Sequence, residues 1–98
     1  MTMKCIIKLI GSEAEGVSKR SGNQWKARTI LLEWTDEDGL HRVWATMFND
    51  VMDHFNHENL SVGNECIVSL LFSGHSFRTG YSTTEVKVLN IQSTLSTL

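Results

Sequence analysis

Arg42, Trp44, Thr46 and Phe48 occupy every second position of one short run. In an extended strand they stand on one face, with Val43, Ala45 and Met47 on the other. The second row suits a core. The first sets two aromatic rings and a guanidinium where a folded chain ordinarily shows polar groups. Rings beside cations are the chemistry of a groove for single-stranded nucleic acid: every base has a π-face to stack, and cations track the phosphates. Trp44 and Phe48 are the first stacking candidates, followed by Trp25, Phe77 and Tyr81. Lys19, Arg20, Lys26 and Arg28 are candidate phosphate contacts, supported by Arg42, Arg78 and Lys87.

Other chemistry finds little footing. His54 and His57 fall at i and i+3, close enough on a helix to share a metal, but no third ligand has suitable spacing. No serine or cysteine stands in a nucleophile motif, and no glycine-lysine loop is present to cradle a phosphate. Asp36-Glu37-Asp38-Gly39 reads as a turn rather than a metal-binding acidic cluster. The reading is therefore of a binding protein and not an enzyme, with no cofactor, no metal and no small-molecule substrate. Cys5 and Cys66 lack Cys-x-x-Cys spacing and sit alone in β-type runs. They read as reduced core thiols of a cytoplasmic protein.

The chain has 98 residues and 41% hydrophobic content, enough for one globular domain with a modest core. No apolar run approaches the roughly 20 residues that span a bilayer, and lysines interrupt the apolar start, so neither a membrane segment nor a signal peptide is expected. Net charge is −2, unlike a strongly basic nucleic-acid binder, but the total hides an asymmetry. Residues 1–35 carry a balance of +3, residues 36–65 one of −6, and the remainder +1. That polarity allows a basic groove with an acidic back. So few cations imply few phosphate contacts per subunit, hence a shallow salt dependence or a need for oligomers.

These side chains need a scaffold, and the patterning supplies one. A first strand is expected over about Met3–Gly11, with Cys5, Ile7 and Leu9 alternating against Lys4, Ile6 and Lys8. Ser12 to Asn23 is polar and is either a curved extension of that strand or an open loop. A second strand spans about Gln24–Trp34; neither of its rows is cleanly apolar, which suggests a bulge that switches faces, and Trp34 is expected in the core or an interface. The aspartate-glycine turn closes a hairpin onto the third strand, about Leu40–Phe48. Asn49 is a candidate N-cap for a short helix that buries Val51, Met52 and Phe55 and ends near residues 56–59. A fourth strand, Cys66–Phe72, turns Cys66, Val68, Leu70 and Phe72 inward. A fifth runs from about Tyr81 to Ile91, leaving 92–98 as a tail. Five strands with a helix between the third and fourth is the order of the OB-fold, an all-β Greek-key barrel. The whole chain, 1–98, reads as one such domain with its core over about 3–91.

Three segments, His41-Arg42-Val43-Trp44 through Phe48-Asn49-Asp50, then Leu60 through Val68, then Tyr81 through Val86, resemble the bacterial single-stranded DNA-binding protein family. The chain also looks like a related group of small bacterial OB-domain proteins, where the pattern adds Ser18 through Gly22 and Trp25. The resemblance implies sequence-tolerant binding of single-stranded DNA or RNA and self-association as a homodimer or homotetramer. Two departures stand out. Family members typically end in a flexible acidic tail, whereas Ser93 to Leu98 holds no acid. Leu40 also stands where the family's third strand has a tryptophan. The second reading is accordingly an OB-domain used for protein–protein assembly without nucleic-acid binding.

Overall fold

The computed structural model describes residues 1–76 and 82–94. Five strands, β1 (Thr2–Val17), β2 (Gln24–Asp36), β3 (Gly39–Phe48), β4 (Glu65–Ser76) and β5 (Ser82–Ser93), close into a barrel in the order β1-β2-β3-β5-β4. Neighbours are antiparallel except β3 and β5, which meet in parallel at Thr46 and Lys87 to close the circle. The helix α1 (Asn49–His57) lies between β3 and β4. This is the OB-fold order expected from the sequence.

The inward rows build one core. Cys5, Ile7, Ile30, Leu32, Ala45, Met47, Val68, Leu70, Val88 and Ile91 are buried, and the helix plugs one end of the barrel with Met52 and Phe55. Trp34 packs against the edge of this cluster and stacks on His41 across the hairpin, ring centroids 5.4 Å apart. The hairpin turns as its composition requires. Gly39 takes a φ of 114°, a left-handed conformation natural only to glycine. Asp36 Oδ1 accepts from the Asp38 N–H and from His41 Nε2, each at 2.8 Å.

Four expectations need correction. The irregularities lie in β1, not β2: the β1–β2 register slips between Ile7 and Leu9 and again between Ile10 and Glu13, whereas β2 and β3 pair without interruption from Ala27/Phe48 to Asp36/Gly39. The first slip leaves Lys8 as an extra residue, so Leu9 stands outside the barrel, 51% exposed, instead of beside Ile7. Phe72 is likewise 44% exposed: among the described residues the buried row of β4 ends at Leu70, although Val86 opposite Phe72 on β5 is still in the core. Asn49 does not cap the helix; Phe48 holds the N-cap position, and Asn49, itself at a φ of 43°, uses Oδ1 to accept the Lys26 N–H. The polar segment after Gly11 continues β1 to Val17, and β5 extends to Ser93, taking up the start of the expected tail.

Candidate nucleic-acid interface

Uninterrupted alternation along β2 and β3 decides which side chains face outward. Residues directly opposite in an antiparallel pair share a face, so Thr29, Leu31 and Glu33 of β2 stand with Thr46, Trp44 and Arg42 of β3. The bulge at Lys8 then brings β1 into the same surface. Leu9 pairs with Leu31 and Leu31 with Trp44, giving an apolar row across three strands. Trp44 is half exposed. Ile6, Glu33 and Arg42 form the adjacent row.

Farther along β3, Phe48 is half-buried and Lys87 of β5 places its Nζ 5.6 Å from the ring centroid, within cation–π range. Beyond Phe48, Trp25 pairs with Gly16 of β1 and lays its indole across it. A Cβ on Gly16 would lie 2.7 Å from Trp25 Cζ2, so only glycine leaves room for the ring in this position. This indole forms one wall of an open cleft of ≈ 570 Å³ that also takes in Glu15, Lys26 and Asn49. From Trp44 to Trp25 the face runs about 20 Å, at ~3.3 Å per strand residue.

The cations divide into two groups. Arg42 Nε donates to Glu33 Oε2 at 2.6 Å, and Lys8 Nζ lies 3.9 Å from Glu33 Oε1. Arg28 occupies the inward row at the barrel end: its Nε is buried without a hydrogen-bond partner among the described residues, and its guanidinium lies 3.8 Å from Glu13. Lys26 is paired with Asp53 of the helix; that hydrogen bond, ahead of the surrounding carboxylates, holds its ammonium above the usual lysine pKa. Lys19 and Arg20, in contrast, are exposed on the turn between β1 and β2 and make no ion pair among the described residues. That turn is closed by Ser18 and Asn23, with Gly22 at a φ of 70°.

The structure thus brings Trp44, Phe48, Arg42 and Lys87 to one outer surface, with Trp25 at its end and Lys19 and Arg20 on the adjoining turn. Arg28 and Lys26 are turned toward the barrel end and the helix. Phe77, Arg78 and Tyr81 lie outside the described residues. Leu9, Leu31, Lys8 and Glu33 were not singled out in the sequence. The apolar pair Ile7 and Ile10, three residues apart, was the available signal, because both can face the core only with an extra residue between them.

Among the described residues no group of three metal-ligating side chains occurs, and no helix is long and apolar enough to cross a membrane. No protein-family model and no curated sequence matches the chain. Solved structures do. The second OB-fold domain of replication protein A from Methanococcus maripaludis superposes with a TM-score of 0.61 at 20% identity, covering 95% of this chain and 81% of that one. The SSB domain of a Synechococcus sp. protein gives 0.63 at 10% identity, over 94% and 91%. A mitochondrial single-stranded DNA-binding protein of S. cerevisiae gives 0.56 at 20% identity, over 96% and 95%. The architecture they share with this chain is the OB-fold, here complete as a closed five-stranded barrel with its helix between β3 and β4.

Proposed function

We propose that this domain binds single-stranded DNA, without marked sequence preference, across the outer face of β1, β2 and β3. The observation that carries the reading is the half-exposed Trp44 indole, which continues the Leu9–Leu31 row across three strands. A flat apolar surface edged by cations suits an unpaired base, whose face is apolar and whose backbone is anionic. Single-stranded DNA binding by similar OB-folds supports the same assignment. Phe48 under Lys87, and Trp25 on Gly16, would extend the track. The role is binding, not catalysis, in the cytoplasm.

Titration with oligo-dT at low and high salt tests the reading through tryptophan fluorescence. Trp34 is partly buried against the core and stacked on His41, so quenching reports mainly Trp44 and Trp25. Trp44→Ala is expected to weaken binding by ~1–3 kcal/mol, the worth of one stacked base. No quenching at micromolar protein in low salt sinks the proposal. Self-association as a dimer or tetramer is proposed to use other surfaces, such as Leu71 and Leu89, exposed on β4 and β5. Sedimentation should therefore give Trp44→Ala the mass of the parent protein; a lost oligomer would instead make this face an assembly contact.

A further inference from the structure

Glu33 is the one acid in the central rows of the outer face, and its carboxylate is largely covered, with the side chain 17% exposed. Each oxygen serves a different cation. Oε2 accepts from Arg42 Nε at 2.6 Å, and Oε1 lies 3.9 Å from Lys8 Nζ. The two cations come from different strands and approach from opposite sides, β3 on one and β1 on the other. Lys8 reaches the position from the β1 bulge, the kind of irregularity that re-aims a side chain. The two cations are themselves open to solvent, at 57% for Arg42 and 43% for Lys8. Two exposed cations sharing the two oxygens of one anion form the arrangement that a backbone phosphate would also satisfy. Glu33 follows Leu31 by two residues on the same face, so along the strand its backbone stands about 7 Å from the Leu31–Trp44 row. A nucleotide stacked on Trp44 can span that interval.

We infer that Lys8 and Arg42 form a phosphate subsite which the Glu33 carboxylate occupies as an internal stand-in, so that Glu33 sets how much of the binding is carried by the nucleic-acid backbone. This rests on the nucleic-acid reading of the same face. An incoming phosphate must displace Glu33 from both cations while Glu33 stays nearby as a like charge. Backbone contact is thereby weakened and base stacking left dominant. The ligand class is a phosphodiester of single-stranded nucleic acid.

The test is fluorescence anisotropy of labelled 30-mers of dT and of dC from low to high NaCl, with the parent protein, Glu33→Gln, Glu33→Ala, Trp44→Ala and Glu33→Gln/Arg42→Ala. Both Glu33 variants should bind about five- to tenfold more tightly at low salt, a gain on the scale of one or two exposed ion pairs released. Their salt slopes should steepen by about 0.7, as one further single-strand phosphate contact requires. Adding Arg42→Ala should remove most of the gain. Two carboxylate replacements of different shape guard against a side effect of either, and thermal melting checks that both fold. Binding by the parent with Trp44→Ala weakened, but no gain or steeper slope in either Glu33 variant, overturns the subsite and leaves the stacking reading intact. Weaker binding confined to oligo-dC would make Glu33 an acceptor for the cytosine amino group, which also overturns it. Failure of every protein to bind in low salt removes the underlying reading and the subsite together.

Discussion

Trp25 and Trp44 are presented in different ways, and the difference is testable residue by residue. Trp44 stands on a flat row of leucines, while Trp25 depends on the absence of a side chain beneath it. At Gly16 the space is filled by the indole, with Cζ2 and Cε2 at 2.7 and 2.9 Å from where a Cβ would sit. Gly16→Ala is therefore expected to lift the ring from the strand, shifting its emission and weakening oligo-dT binding by up to ~1–3 kcal/mol, one base's stacking. The barrel should lose little stability, because the displaced ring lies on the surface. Gly74 is the control: a Cβ there meets nothing within 4 Å, so Gly74→Ala should leave both emission and affinity unchanged. Equal effects of the two substitutions would show that Gly16 is not a seat for Trp25.

At the scale of elements, the β2–β3 hairpin and the β1 bulge together decide which residues face outward. Gly39 holds the hairpin turn at a φ of 114°, and Gly39→Ala should cost ~1–3 kcal/mol in urea unfolding, the ordinary cost of a strained backbone position. The same turn carries a pH signature. The hydrogen bond from His41, and next the Asp38 N–H, hold the Asp36 carboxyl below the usual 3.8. A lowered folded-state pKa contributes stability above the unfolded value, which is lost as the pH falls below about 4 and through the folded value. Asp36→Asn should flatten that part of the acid limb; an unchanged limb would show the turn's hydrogen bonds to be energetically silent. The Arg42–Phe48 alternation was legible in the sequence because Val43, Ala45 and Met47 are unambiguously apolar and β3 pairs with β2 in unbroken register. The β1 part of the face was not legible. Its outward row holds the apolar Ile6 beside Lys4, so alternation is blurred before the slip, and the odd spacing of Ile7 and Ile10 is the one trace of the extra residue that turns Leu9 out. Arg28 misled for a related reason: a charged residue reads as outward, yet its register places it with Ile30 and Leu32 on the inner row, its guanidinium against Glu13 at the barrel end.

For the molecule as a whole, closure of the barrel places Cys5 and Cys66 directly opposite each other on β1 and β4, both buried in the core. Burial disfavours the thiolate. It pushes Cys5 up to about 11, and with the added repulsion of its neighbour thiol and Glu65 it pushes Cys66 up to about 12, against an ordinary 9.0. Both thiols therefore stay protonated in the folded barrel at pH values where an unfolded chain has begun to ionise. Their contribution to stability is complete below about pH 9. It declines as the pH rises from there toward 11–12, because the unfolded state releases protons that the native state keeps. Urea unfolding at pH 7, 9 and 10.5 should accordingly show a constant free energy over the first interval and a loss over the second. The comparison that isolates the thiols is the slope in Cys5→Ala/Cys66→Ala. That variant should start less stable, because two core side chains are shortened, yet lose less between pH 9 and 10.5. The same closure predicts that the native protein reacts slowly with a thiol reagent at pH 8 and releases two equivalents once unfolded in urea. Parallel alkaline slopes in the two proteins, or prompt reaction of both thiols in the native state, would mean that the barrel opens at the β1–β4 seam far more readily than its buried core implies.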